Sequence, residues 1–283
     1  MNKNTANNKR AQARAARAYF AALTFDDCRR TALVTDNQKL RKTGQNVAGC
    51  SLYPNFAHVS GLSTCRFAKS CAITCILFSG PAELMASQHG ELTHVEKAAL
   101  RRTWLFFNNP DYFYSRIRTE LAVLLLSEDT IFFRETTSEC LDFSRIVSNG
   151  VQIYGYHKDP EVMTDESSPN KLNMFSWSER STKDDIETAR ISETPVAVVV
   201  NFRLHREIMQ GRELIRYNEH TIFVDGNADD LASYRAMNEY DLSGFLVIHL
   251  LREKNTRGGN AAIGQTPFFD SWKDIIGEDY TTC

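Results

Sequence analysis

The sequence lacks the long apolar run that a membrane helix requires. Its longest apolar stretches, such as Val196 to Val200 and Phe245 to Ile248, are far shorter than the ~20 residues needed to cross a bilayer. The first 24 residues contain no apolar core of a secretory signal either. These absences predict a soluble cytoplasmic protein with no membrane partner.

The sequence also lacks an overall excess of either charge. Its 33 Lys and Arg face 35 Asp and Glu, which gives a net charge of -2 at pH 7. Such a molecule has no general field that attracts a polyanion, so any nucleic-acid contact must be local. A local excess occurs in residues 1–24, which carry five basic residues and no acidic one. We expect residues 1–32 to form a basic, helical, solvated leader, with a local nucleic-acid contact as the alternative role.

Several common catalytic signatures are absent. The chain has no glycine-rich phosphate loop, no nucleophile elbow and no His-Glu-x-x-His motif. Four histidines, His94, His205, His220 and His249, have no partner at the sequence spacing of metal ligands. Asp225, Asp229 and Asp230 lack the spacing of a calcium loop, and the acidic start of a helix explains them better. The sequence therefore does not favour a nucleotide hydrolase, a serine hydrolase or a zinc protease.

Short β-branched and aromatic runs recur through the chain and predict strands. They are Cys50–Tyr53, Thr130–Phe133, Val151–Tyr156, Leu172–Trp177, Val196–Phe202, Thr221–Val224 and Phe245–Leu250. Helical patterns occupy His94–Asn108, Asp111–Leu126, Lys183–Arg190 and Asp229–Met237. The alternation predicts an α/β fold with a mainly parallel sheet. We expect a single barrel-like or open-barrel domain over residues 33–283, with a cysteine-rich loop after the first strand.

Three of the seven cysteines are clustered. Cys65, Cys71 and Cys75 lie within eleven residues in a C-x5-C-x3-C pattern. Thiolates this close repel one another unless a cation holds them, so the cluster predicts a metal site. Structural zinc normally has four ligands, and the candidates for a fourth are Cys50, Cys140, His58 and His89. A [4Fe–4S] cluster, zinc and no metal all remain open, and the three-thiolate set favours the cluster.

Polar residues follow the predicted strands, and in a parallel barrel the carboxyl ends of the strands surround the functional opening. We predict catalytic roles for Arg134, Glu139 and Lys158, because a guanidinium and an ammonium bind carboxylates or phosphates and a carboxylate orients an amine. The predicted cofactor-binding residues are Thr136, Thr137, Ser176 and Ser178. The alternative is ordinary surface charge around the mouth of a barrel.

The order and spacing of several short motifs, from about residue 33 onward, resemble a family of proteins. The motifs include Asp36–Gly44, Ser51–Pro54, the cysteine loop up to Gly80, Arg134–Glu139, Tyr156–Lys158 and Phe175–Glu179. The chain resembles an uncharacterised phage and prophage family related to the gene-product-eighty-eight proteins and described as radical-SAM-like. The resemblance implies an α/β barrel, a [4Fe–4S] cluster and S-adenosylmethionine as cofactors. One departure is Glu135–Thr137, where radical-SAM enzymes usually carry Gly-Gly-Glu.

These observations predict a phage-type iron–sulfur protein. We expect a radical-SAM-like enzyme that modifies a nucleotide, a nucleic acid or a small metabolite in the host cytoplasm. The alternative is a non-catalytic protein, held together by zinc or an iron–sulfur cluster, that binds a host protein or nucleic acid.

Overall fold

The structure is a computed structural model. It describes residues 3–35, 40, 46–53, 60–65, 91–135, 140–146, 148–164, 171–178, 181–200, 202–227 and 229–252. Five of the predicted site residues lie outside these ranges: Cys71, Cys75, Thr136, Thr137 and Glu139.

The helices and strands alternate along most of the described chain. The helices are α1 (Lys3–Ala22), α2 (Phe25–Cys28), α3 (His94–Asn108), α4 (Pro110–Leu124), α5 (Lys183–Ile191), α6 (Phe202–Met209) and α7 (Ala232–Glu239). The strands are β1 (Val47–Cys50), β2 (Ile131–Glu135), β3 (Val151–His157), β4 (Lys171–Ser176), β5 (Val196–Val200), β6 (Leu214–Arg216), β7 (Thr221–Asp225) and β8 (Leu246–Arg252). No helix within the described ranges is long and apolar enough to cross a membrane.

The strands form one sheet in the order β1-β2-β3-β4-β5-β8-β7-β6. The pairs β1–β2, β4–β5, β5–β8 and β7–β8 are parallel, and β6 runs antiparallel to β7. The α/β prediction is therefore confirmed. Over the residues described, the sheet is open, with β1 and β6 at its edges, and is not closed into a barrel.

Local sequence signals explain where the helices begin. Thr93 caps α3 and exchanges hydrogen bonds with Glu96, and Thr182 makes the same capping box with Asp185 at α5. Pro110 occupies the first turn of α4, where its missing N–H has no helical partner to lose. The predicted helix at His94–Asn108 is confirmed to the residue.

Two predicted boundaries were wrong and one strand was missed, for identifiable reasons. The first strand covers Val47–Cys50 and ends before Tyr53, whose N–H donates to the Thr103 hydroxyl at 2.8 Å instead of joining the sheet. Phe202 was expected to end a strand but begins α6, which buries His205, Ile208 and Met209 at helical spacing. Strand β6 was not predicted, because its three residues are too few to show a period.

The chain divides into two compact units. Unit 1 comprises residues 1–37 and 46–153, and unit 2 comprises residues 38–45 and 154–283. In unit 1, α3 and α4 pack against β1 and β2 through a buried apolar cluster. Its members include Ala48, Leu105, Phe113, Ile117, Leu121, Ile131 and Phe133.

The basic N-terminal segment is helical and is packed on unit 1 along one side. Ala16 of α1 is fully buried, and Tyr19 and Phe20 pack with it against Tyr53 and Leu100. The helix is thus held by apolar burial, at roughly 1.5–3 kcal/mol for a fully buried large side chain. The sequence had suggested a leader solvated on every side, but one side of α1 is packed against unit 1.

The sheet of unit 2 is covered on both faces. On the first face, α5 and α6 pack on alternate residues of β5, β7 and β8, including Val198, Phe223 and Ile248. On the second face, α7 packs on the intervening residues, including Val224 and Val247. A sheet buried on both faces explains why β5 reads as an unbroken apolar run.

Candidate functional site

In unit 1, the start of the cysteine loop is tied to the chain just beyond the carboxyl end of β1. The buried hydroxyl of Thr64 donates to the carbonyl of Tyr53 at 2.9 Å. The next residue, Cys65, is partly exposed, and its Sγ lies 3.9 Å from the Thr64 Oγ1. Its N–H donates to the Ser63 hydroxyl at 3.3 Å. The first predicted metal ligand therefore lies at the edge where a parallel sheet usually binds its ligands.

Two other cysteines of unit 1 are in a different environment. Cys28 and Cys50 are fully buried in the apolar cluster. Burial, assisted by the neighbouring Asp27 carboxylate and opposed by Arg101, raises the pKa of Cys28 to about 11. Cys28 is therefore a thiol at neutral pH and a poor metal ligand. Cys140, one of the candidates for a fourth ligand, packs against the same cluster and is partly buried.

Arg134 lies at the carboxyl end of β2, where it pairs with Gly49 of β1 in parallel register. Its neighbours Ile131 and Phe133 face the apolar cluster, so alternation along the strand directs Arg134 to the opposite face. The side chain is only 6% exposed. A buried guanidinium is costly unless it is paired, and Arg134 does have polar interactions within the fold.

The other predicted strand-end residues in the described ranges belong to unit 2. Lys158 follows β3 and is partly buried, and Ser176 ends β4 in register with Ala197. Ser178 is 3% exposed, and its N–H donates to the Ser181 hydroxyl at 2.9 Å. Their assignment to a substrate or cofactor stays a prediction.

Loops that leave β5 and β7 run to opposite faces of the sheet in unit 2. Helix α6 follows β5 and packs on the first face, whereas α7 follows β7 and packs on the second. Strand β8 lies between these two strands. Diverging loops open a crevice above the carboxyl end of the strand between them, and open parallel sheets bind ligands at this point.

A histidine and a carboxylate meet at the carboxyl ends of β5 and β7. His205 lies near the start of α6, and Asp225 ends β7. The His205 Nε2 is 3.3 Å from the Asp225 Oδ1. The Asn227 Nδ2 lies 2.7 Å from the same Nε2 and 2.9 Å from the same Oδ1. The N–H of Asn227 also donates to this oxygen at 2.9 Å.

These contacts fix the ionisation of Asp225. Its burial alone would raise the pKa, but hydrogen bonds from His205 and from the backbone and side chain of Asn227 outweigh that effect. The pKa of Asp225 is lowered to about 2. The carboxylate is therefore ionised at neutral pH and orients the imidazole. The His205 imidazole is thereby held in a fixed position at the carboxyl edge of the sheet.

A second polar cluster lies on the other face of unit 2, beneath α7. Ser233 and His249 are fully buried, and the Ser233 Oγ lies 2.8 Å from the His249 Nδ1. The His249 Nε2 lies 3.1 Å from the Tyr156 hydroxyl, which donates to the Asp230 Oδ1 at 3.2 Å. Because Tyr156 has a single proton, His249 donates from Nε2 and accepts from Ser233. The four side chains form one directional chain of hydrogen bonds.

The residue beside this chain of hydrogen bonds, Gly226, must be glycine. A Cβ built on Gly226 would lie 2.1 Å from the His249 Nε2. The N–H of Gly226 also donates to the carbonyl of Leu250 at 3.0 Å, which holds the strand ends together. The close approach therefore couples the turn after β7 to the buried imidazole.

No family model matches this chain, and neither a curated protein nor a solved structure is significantly similar to it. Its function must be argued from its own residues.

Sequence reasoning did not identify His205 or His249 as site residues. Their partners lie far along the chain: Asp225 for His205, and Tyr156 and Ser233 for His249. The Asp225-Gly226-Asn227 turn directly after a β-branched strand was the available signal. Asp229 accepts from the N–H of Leu231, the residue before α7, but the first turn of α7 carries no acidic residue, so the predicted acidic helix start was wrong. Within the described ranges, no group of three or more His, Cys, Asp or Glu side chains is placed to bind a metal.

Proposed function

We propose that the protein is a metal-dependent α/β enzyme that acts on a nucleotide, a nucleic acid or a small metabolite. In this proposal Cys65, Cys71 and Cys75 hold a [4Fe–4S] cluster. The supporting observation is the anchored, partly exposed Cys65 just beyond the carboxyl end of β1. The family resemblance adds a phage origin and a setting in the host cytoplasm.

The chemistry of the donors fits a soft metal. Thiolates favour iron–sulfur clusters and zinc over oxygen-seeking cations. Cys65 is accessible to a metal, whereas Cys28 and Cys50 are enclosed by apolar side chains. Three thiolates leave one coordination position open, which suits a cluster that binds a ligand better than it suits a closed structural zinc site.

The strand-end residues have defined roles in the proposal. A cluster of this kind supplies one electron for reductive cleavage of S-adenosylmethionine. Arg134 binds an anionic group of the substrate or of the methionine, and Glu139 orients a substrate amine. Thr136 and Thr137 supply hydrogen bonds to the cofactor. The roles predicted for Lys158, Ser176 and Ser178, which belong to unit 2, stay predictions.

The proposal assigns proton transfer to His205 in unit 2. Its imidazole is oriented by the ionised Asp225 and by Asn227 at the carboxyl ends of β5 and β7. General acid–base catalysis requires a titratable group held at a fixed position near the reacting atoms. The contacts with Asp225 and Asn227 keep the His205 imidazole at a fixed position, and only the structure shows these contacts.

Metal analysis tests the proposal. The protein is purified without oxygen, iron, sulfide and zinc are quantified, and the absorbance spectrum is compared before and after dithionite. We expect iron and sulfide, with a visible chromophore that dithionite bleaches. Cys65→Ala, Cys71→Ala and Cys75→Ala should lose the chromophore, whereas Cys28→Ala and Cys283→Ala should retain it.

Two outcomes would overturn the proposal. Stoichiometric zinc without iron would support the alternative of a metal-stapled binding protein and exclude the radical enzyme. Unchanged iron in the triple cysteine variant would show that other residues hold the metal.

A further inference from the structure

Four of the five basic residues of α1 occupy positions on one side of the helix, and Lys9 lies outside that side. Positions 3, 10, 14 and 17 are basic and recur at intervals of seven, four and three residues. At 3.6 residues per turn, these positions fall within a sector of about 60°. Arg14 and Arg17 are exposed. We call the four positions the basic stripe.

The side of α1 opposite the stripe is fixed to unit 1. Ala16, Tyr19 and Phe20 pack against the body of the unit, and the Gln12 side chain donates to Glu96 of α3. The Lys97 Nζ and the Arg101 Cζ each lie 5.9 Å from the centre of the Tyr19 ring. The stripe therefore lies on a docked helix, with Arg14 and Arg17 exposed on the side away from the packing contacts.

The charge of the stripe contrasts with that of the rest of the chain. Residues 1–24 contribute five positive charges to a total of -2, so the remainder of the sequence carries a net charge of -7. A basic segment on an otherwise acidic chain orients a polyanion toward that segment. Positions 10, 14 and 17 follow one another at four and three residues, so their Cβ atoms are about 5–6 Å apart in a row, and position 3 lies two turns before them.

The apolar side chains of α1 argue against a lipid partner. A helix that lies on a membrane inserts its apolar face into the acyl chains. In α1 that face, with Tyr19 and Phe20, already packs against Tyr53 and Leu100. The exposed Ala18 and Ala21 beside the stripe offer little apolar surface for insertion. A linear polyanion fits the stripe better than a bilayer does.

We propose that the basic stripe binds the phosphodiester backbone of a nucleic acid without reading its sequence. Arg and Lys side chains that reach only phosphates give affinity and orientation but no base discrimination. This inference is independent of the metal, because the stripe contains none of the clustered cysteines. The same surface would act in the full-length protein whether it proves to be an enzyme or a binding protein.

Salt-dependent binding provides the test. Fluorescence anisotropy with labelled oligonucleotides of two unrelated sequences should show similar affinities. Four phosphate contacts predict a slope of log affinity against log salt of about -3 to -4 on duplex DNA, which is roughly a 100-fold loss between about 50 and 200 mM salt. The double variant Arg14→Gln/Arg17→Gln should reduce the slope by about two. Arg14→Lys/Arg17→Lys should restore it.

The control removes two exposed arginines elsewhere. Arg206→Gln/Arg212→Gln in unit 2 causes the same loss of charge away from α1, and it should leave the slope unchanged. Circular dichroism verifies that all variants are folded. If both double glutamine variants weaken oligonucleotide binding equally, the loss of net charge explains the effect, and the proposal that the basic stripe is the binding surface is refuted. Binding to anionic lipid vesicles or to an acidic polypeptide, with none to either oligonucleotide, would refute the choice of partner.

Discussion

The close approach of Gly226 to His249 makes Gly226→Ala a severe test of the buried hydrogen-bond chain. The added methyl would lie 2.1, 2.4 and 2.7 Å from three atoms of the imidazole, far inside van der Waals contact. The fully buried ring must move to accept it. Moving the ring breaks its contacts of 2.8 Å to Ser233 and 3.1 Å to Tyr156.

The expected loss of stability has two parts. Overpacking a buried site costs typically about 1–3 kcal/mol. A buried polar group left without its partner costs about 1–3 kcal/mol more. We therefore expect Gly226→Ala to lower the free energy of unfolding by about 2–6 kcal/mol, measured by urea denaturation of purified protein at neutral pH.

A second substitution separates this mechanism from a general effect on the turn. In a His249→Ala background the space beside position 226 is open, so adding Gly226→Ala should cost less than about 1 kcal/mol, and the double-mutant cycle should show strong coupling. A cost below about 0.5 kcal/mol for Gly226→Ala in the wild-type background would refute the reasoning. An equal cost in both backgrounds would place the strain in the backbone and not against the ring.

Two further predictions concern the strand ends. Asp225 has a folded-state pKa of about 2, below its ordinary 3.8, so its interactions stabilise the fold above about pH 4 and the gain is lost as the pH falls toward 2. Wild type should therefore exceed Asp225→Asn by up to about 2 kcal/mol at pH 5 and converge with it near pH 2 in denaturant titrations, and a constant difference would contradict the assignment. Thr64→Val removes the hydroxyl that donates to Tyr53, so it should cost about 1–2 kcal/mol and lower metal retention on dialysis against a chelator. Thr119→Val, which removes an exposed hydroxyl from α4, is the control and should leave both measurements unchanged.

Local patterns in the sequence predicted most of the secondary structure. The Thr93 and Thr182 caps and the β-branched run of β5 act within a few residues, so they can be recognised without a fold. The first strand was displaced by three residues because Tyr53 forms its main-chain hydrogen bonds with side chains of distant residues. Only the folded chain shows those partners.

The candidate site was less accessible to sequence reasoning. The spacing of the three clustered cysteines predicts a metal site on chemical grounds. Of these three residues, the structure describes Cys65. His205 lies on α6, which follows β5, and Asp225 ends β7, so the order of the strands in the sheet brings the two residues together. No local period in the sequence predicts this contact. The direction of the hydrogen-bond chain through Tyr156 likewise depends on residues from three separate segments.

Tyr53 connects two parts of unit 1 that the sequence separates. Its ring is covered by α1, its N–H is held by Thr103, and its carbonyl holds Thr64 beside Cys65. Trimming the first twenty-odd residues to remove an apparently dispensable tail would uncover that ring and loosen the attachment of the cysteine loop. If the proposed metal site is correct, a shortened clone would bind metal more weakly without losing any of the proposed ligands, so affinity tags are better placed ahead of Met1 than substituted for α1.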